Sequence, residues 1–64
     1  MINLNKMTRK QLASLIVTDQ VVRGVVRRED YAYQVKARLY GLKGYFEPMT
    51  KAELLKAAQA AFTN

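Results

Sequence analysis

The sequence predicts an all-α protein, a small bundle of three to four short helices. Two observations indicate this class. The segments 7–12 and 49–54 match position by position in chemical type, and each carries the signals that begin a helix. Between them, apolar residues recur at the spacing of one helix face. We expect helices at about residues 9–17, 19–27, 31–40 and 51–62, with an extended loop at 42–49 before the last.

The first and last helices have complete N-terminal signatures. Thr8 and Thr50 stand at the N-cap, where a hydroxyl can accept a hydrogen bond from a free amide of the first turn. Gln11 and Glu53 follow three residues later and can bond back to the cap amide, which closes a capping box. A methionine precedes each cap and a leucine follows four residues after it, as in the hydrophobic staple. The residues expected to face inward are Leu12, Leu15, Ile16, Leu54, Leu55, Ala58, Ala61 and Phe62.

A helix over residues 31–40 is indicated by its apolar spacing and by its end. Tyr31, Val35 and Leu39 repeat every four residues, and Asp30 is a candidate N-cap. Gly41 suits the left-handed residue that follows a helix.

The stretch from residue 18 to residue 28 is ambiguous. Its valines fit a helical face, but valine-rich runs around a glycine are also typical of strands. An isolated strand would have no partner here, so a helix over 19–27 is favoured, with Thr18 or Asp19 as its cap.

Aromatic residues are concentrated in the second half of the chain. We expect Tyr45 and Phe46 to anchor the loop in the core, because large apolar side chains are mostly buried. An exposed aromatic pair is the functional alternative. Tyr33 and Tyr40 are seven residues apart and share a helix face, whereas Tyr31 lies on another, so one of these sets faces outward or lines a seam.

Two runs in the second half carry a family resemblance. The sequence LYGLKGY at 39–45, followed by MTKAELL at 49–55, resembles the helix, extended loop, helix pattern of the N-terminal helical domain of transcription termination factor Rho and of SAP and LEM modules. The resemblance covers residues 37–58. It implies a small nucleic-acid-associated module, although LEM domains chiefly bind a protein. The residues it implies for binding are Lys43, Tyr45 and Lys51.

Length and composition limit the possible functions. Sixty-four residues are enough for a single domain, residues 1–64, with a thin core. The sequence has no cysteine, which excludes disulfides and thiolate zinc sites, and no histidine, which removes the commonest nitrogen ligand. We therefore expect no metal, no cofactor and no enzymatic activity. No apolar run approaches the roughly 20 residues that cross a bilayer, and no signal peptide is recognisable, so a cytoplasmic protein is expected.

The charge favours an acidic partner. Eleven lysines and arginines oppose five acidic residues, giving a net charge of +6 and a pI near 10. Such a domain attracts polyanions, and phosphate contacts release counterions from nucleic acid. An arginine cluster at Arg23, Arg27 and Arg28 is the first candidate, because guanidinium groups bind phosphate with two parallel hydrogen bonds. Lys36 and Arg38 would extend this charge along the next helix. Alternatively, Glu29 and Asp30 neutralise the cluster and leave a mixed solvated face.

Two functions remain open at this point. The first is a nucleic-acid-binding module that contacts backbone phosphates of DNA with little sequence specificity. Its expected binding residues are Arg23, Arg27, Arg28, Lys36, Lys43, Tyr45 and Lys51. The alternative is a protein-binding module, an inhibitor or adaptor of the kind that phages and mobile elements encode, docking on an acidic surface of a larger host protein. The chain would act as a monomer or a homodimer.

Overall fold

The computed structural model describes residues 3–62 and confirms the all-α class. Within this range the chain forms three α-helices, α1 (Arg9–Val22), α2 (Tyr31–Tyr40) and α3 (Lys51–Phe62). Short 3-10 helices at Leu4–Lys6 and Arg28–Asp30 precede α1 and α2. The predicted domain, residues 1–64, extends beyond the described range by two residues at each end.

Both predicted capping boxes are confirmed. The Gln11 amide donates to the Thr8 hydroxyl at 3.1 Å, and the Thr8 amide donates to the Gln11 side-chain oxygen at 2.9 Å. Thr50 and Glu53 form the same reciprocal pair at 3.2 and 2.9 Å. Each box satisfies amides that the first turn leaves without a helical acceptor, so α1 and α3 begin at the predicted residues.

The predicted boundary between two helices near residue 18 is wrong. Residues 19–22 continue α1, and residues 23–27 form a turn rather than the second half of a helix over 19–27. The Thr18 hydroxyl donates to the Ser14 carbonyl one turn back at 2.7 Å. Thr18 is therefore an interior residue of α1 and does not cap a new helix.

Gly24 is the residue that ends α1. Its φ is +79°, and the amide that follows it, at Val25, donates to the Gln20 carbonyl at 2.9 Å. This is the hydrogen-bonding pattern of a helix closed by a left-handed glycine. Val26, the next residue, packs against the core and fixes the direction in which the chain leaves the helix.

Helix α2 has the predicted bounds, but its N-terminus is not capped as expected. Asp30 occupies the N-cap position without a side-chain capping bond, and its carboxylate is paired with Arg27 instead. Gly41 ends the helix as predicted and has a φ of +77°, but its ψ of 179° is extended and differs from the left-handed helical conformation that was expected.

Helix α1 forms the centre of the fold, since it packs against both α2 and α3. Leu12, Val17 and Leu54 are fully buried. Most predicted inward positions lie in or against this core, but Phe62 is 53% exposed and Ala61 only half-buried. The buried cluster comprises Leu12, Ala13, Ile16, Val17, Val35, Leu39, Leu54 and Ala58.

The ends of the helices are joined at one pole of the bundle. The Met49 amide donates to the Arg38 carbonyl at 2.9 Å, and Arg9 donates from its guanidinium to the carbonyls of Leu39 and Met49. The start of α1, the end of α2 and the start of α3 therefore lie together. None of the helices within residues 3–62 is both long and apolar enough to cross a membrane.

Candidate nucleic-acid interface

The predicted arginine cluster is locally neutral. Arg23 pairs with Asp19 at 3.1 Å and also donates to the Ala61 carbonyl at 3.4 Å. Arg27 pairs with Asp30 at 2.9 Å and with Glu29 at 3.5 Å. The three arginines and the three carboxylates of this region therefore cancel in net charge, although only Arg23 and Arg27 are paired. The side chain of Arg28 forms neither an ion pair nor a hydrogen bond with another described residue.

The whole net charge of +6 consequently lies elsewhere in the chain. Outside the arginine cluster and its three acids, eight cationic residues oppose only two carboxylates, Glu47 and Glu53. The eight are Lys6, Arg9, Lys10, Lys36, Arg38, Lys43, Lys51 and Lys56.

Arg38 does not extend the positive surface, contrary to expectation. Its guanidinium donates to the side-chain oxygens of Gln34 at 2.9 Å and Gln20 at 2.7 Å, between α2 and α1. Burial lowers the pKa of Arg38, in agreement with this inward orientation. Because Arg38 lies two positions from Lys36, the two side chains point to different sides of α2.

Lys36 borders a groove between α1 and α2. Buried Val35 and Leu39 form its apolar floor, and Lys10 of α1 stands with Lys36 at its edge. The groove has a volume of about 280 Å³ and includes Tyr31 and Tyr40 among its lining residues. Neither lysine has a carboxylate partner among residues 3–62, so both ammonium groups are open to a ligand.

Lys43 belongs to a second cleft, formed by the loop after α2. This cleft has a volume of about 470 Å³, and it is lined by aromatic rings as well as by Lys43, Glu47 and Pro48. Tyr40 is 72% exposed, Tyr45 82% and Phe46 48%. The prediction that Tyr45 and Phe46 anchor the core is therefore wrong, and the exposed aromatic pair is what the structure shows.

The loop that carries these rings is held by its own main chain. The Leu42 amide donates to the Phe46 carbonyl at 2.9 Å, and the amides of Tyr45 and Phe46 donate to the Leu42 carbonyl at 2.9 and 3.0 Å. Residues 42–49 are therefore not simply extended: they begin with a tight turn. The turn packs closely on Gly41, where a Cβ would lie 2.8 Å from the Phe46 carbonyl oxygen.

Lys51 makes a structural contact at the start of α3. Its ammonium donates to the Asn5 carbonyl at 3.1 Å and so joins α3 to the first 3-10 helix. Beside it, the backbone amide of Thr50, and then its side chain, lower the pKa of Glu53. A carboxylate thus already occupies the electropositive end of α3 where the sequence suggested a phosphate.

The predicted binding residues separate into two groups. Arg23 caps the end of α1, which is about 20 Å from its start on the rise of a 14-residue helix, and Arg27 and Arg28 follow in the connection to α2. Lys36, Lys43 and Tyr45 are instead connected through Tyr40, which lines both the groove and the cleft. We call this region the α2–loop surface, formed by Lys10, Lys36, Tyr40, Lys43, Tyr45 and Phe46.

Sequence reasoning missed half of this surface. Tyr40 could have been found, because it stands four residues after Lys36 and so shares its helix face. Lys10 reaches the surface through the packing of α1 against α2, for which the sequence carries no local signal.

Among the described residues no three acidic, histidine or cysteine side chains are grouped as metal ligands would be. Comparison of the chain with protein-family models, curated proteins and solved structures gives no significant match. The α2–loop surface must therefore be interpreted from its own chemistry.

Proposed function

We propose that the protein is a small nucleic-acid-binding module whose α2–loop surface contacts backbone phosphates. The distribution of charge supports this proposal. All of the net positive charge lies outside the neutral arginine cluster, and three exposed lysines without carboxylate partners share one surface.

The chemistry of these lysines determines the kind of binding. Lys10, Lys36 and Lys43 are exposed, and an ammonium group on a flexible stem can follow a phosphate without a fixed geometry. Such contacts position a protein but read no sequence. We therefore propose weak, salt-sensitive binding with little sequence specificity.

In this proposal the arginine cluster contributes less to phosphate binding than its three positive charges suggest. A phosphate approaching Arg23 or Arg27 also meets the carboxylates of Asp19, Glu29 and Asp30, which repel it. Arg28, which is not paired within residues 3–62, is the member of the cluster best able to add a contact.

Salt-dependent binding tests the proposal. Fluorescence anisotropy with a labelled duplex and a labelled single strand is measured across a range of salt concentrations. Three phosphate contacts give a slope of log K against log salt of roughly −2 to −3. The double variant Lys36→Ala/Lys43→Ala should lower the magnitude of that slope by about 1.5.

Lys56→Ala is the control, compared per charge removed, because it takes one lysine charge from an exposed position on α3 that has no ion pair among the residues described. The absence of binding at low salt would refute the proposal. If Lys56→Ala changed the slope as much per charge removed, binding would depend on the net charge of the protein and not on this surface.

The groove between α1 and α2 supports a second candidate, a protein-binding module. Its floor of Val35 and Leu39 between Lys10 and Lys36 offers an apolar contact with a basic rim, the layout of a small protein interface. An acidic partner would then occupy the groove. Binding to nucleic acid that is unchanged by Lys36→Ala/Lys43→Ala would favour this candidate.

A further inference from the structure

We infer that the cleft of the 42–49 loop stacks unpaired bases, so that the protein selects single-stranded over duplex nucleic acid. This inference rests on the proposed function and specifies its ligand. Three aromatic side chains line the cleft and are exposed to solvent, although large apolar groups are normally buried.

The rings form a group rather than scattered exposed residues. Tyr45 and Phe46 are consecutive in the loop, and Tyr40 joins them from the last turn of α2. Flat π-faces beside a cation are the combination with which proteins bind single strands, because every base has a face that can stack. Lys43 supplies the cation in the same cleft and is separated from Tyr45 by Gly44 alone.

The loop is also fixed in advance of binding. The hydrogen bonds between Leu42 and residues 45 and 46 close the turn, and the bond from Met49 to Arg38 fixes its far end. Pro48 restricts the backbone between them. A ligand therefore does not have to order this segment, which reduces the entropic cost of binding.

A duplex cannot use the cleft in the same way. Its base faces are covered by the neighbouring base pairs, and exposing one requires a base to be unpaired and extruded from the stack, which costs free energy. The lysines still contact duplex phosphates, whereas the rings add affinity only for a strand whose bases are free. The two parts of the α2–loop surface thus have separable effects.

The experiment compares substitutions of Tyr45 on two kinds of probe, labelled oligothymidine and oligouridine as single strands and a duplex of matched length. Tyr45→Ala should weaken single-strand binding by roughly 5- to 100-fold, the range expected for loss of one stacked base. Duplex binding should change by less than about twofold, since phosphate contacts are retained. Tyr45→Phe keeps the ring and should retain single-strand affinity.

Tyr33→Ala is the control, because Tyr33 is an exposed tyrosine of α2 that lines neither the cleft nor the groove. Equal losses on single strand and duplex, or no loss with Tyr45→Ala, would overturn the inference while leaving phosphate binding intact. No binding of the unaltered protein to any probe would overturn the proposed function as well. Oligothymidine and oligouridine distinguish DNA from RNA as the preferred strand.

Discussion

Arg9 and Met49 are forty residues apart in the chain and are joined by two hydrogen bonds. The Arg9 guanidinium donates to the Met49 carbonyl oxygen from Nε at 3.2 Å and from Nη2 at 2.7 Å. The same Nη2 donates to the Leu39 carbonyl at 2.7 Å, in the last turn of α2, where carbonyls have no helical donor. One side chain thereby holds the first residue of α1 to both ends of the loop that carries the cleft.

Removing this guanidinium should destabilise the protein. Arg9→Met retains much of the apolar stem but leaves partly buried carbonyls without their charged donor, at an expected cost of about 1–3 kcal/mol. The free energy of unfolding is measured by urea denaturation. Lys10→Met is the control, because the side chain of the adjacent lysine makes no hydrogen bond to another described residue. A loss for Arg9→Met no greater than for Lys10→Met would contradict the role of Arg9.

A side chain at position 41 should destabilise the protein more than one at position 44. Both glycines have positive φ, so alanine at either position costs about 1–2 kcal/mol for the backbone conformation alone. At Gly41 the added Cβ would also meet the Phe46 carbonyl and Pro48 at 2.8 Å, whereas at Gly44 nothing lies within 4 Å. We expect Gly41→Ala to cost a further 1–3 kcal/mol, roughly the range for overpacking. Thermal unfolding of the two variants measures the difference, and equal midpoints would contradict this account of the loop.

The capping box of α3 should make stability depend on pH. The pKa of Glu53 is lowered in the folded state by its bonds to Thr50, so its contribution is present above the unfolded-state pKa of about 4.3 and is lost as the pH falls through the lower folded-state value. We expect the melting temperature to fall with acidification less in Glu53→Gln than in the unaltered protein. Glutamine is a suitable replacement because Gln11 closes the corresponding box of α1. If the melting temperatures of the two proteins fell by the same amount as the pH is lowered, the prediction would be contradicted.

Glu47 is the carboxylate that lines the aromatic cleft, where it would oppose the proposed phosphate binding. Glu47→Gln should raise affinity for single-stranded nucleic acid by up to about fivefold at low salt, the scale of an exposed charge interaction. Glu29→Gln makes the same change of charge within the arginine cluster and should have a smaller effect. Anisotropy titrations of both variants measure this, and a larger gain for Glu29→Gln would place the phosphate contacts at the arginines instead.

The helix boundaries that the sequence predicted correctly are those with a local chemical cause. Thr8 and Thr50 bond to residues three positions away, and Gly41 acts through its own φ, so each signal is complete within one turn. Residues 19–22 are helical as predicted, but residues 23–27 were wrongly assigned to a helix although glycine at position 24 is a residue that commonly ends one. The valine spacing on both sides of it suggested one continuous element, whereas the left-handed glycine divides them.

The α2–loop surface was harder to predict because it depends on tertiary packing. The charges of Arg23 and Arg27 suggested a site, but the structure favours the alternative of a locally neutralised cluster, since these arginines pair with Asp19, Glu29 and Asp30. Tyr45 was expected in the core on a general rule of burial. Its exposure follows from the hydrogen bonds of the loop, which turn it away from a core already filled by the three helices.

A titration followed by heteronuclear NMR tests the central proposal most directly. Backbone amide shifts of the labelled protein are recorded while short oligothymidine is added at low salt. We predict that the shifts concentrate at Lys10, Lys36 and residues 40–47, and that the amides of 23–30 and of α3 change little. Shifts concentrated at residues 23–30, or none at all, would contradict binding at the α2–loop surface.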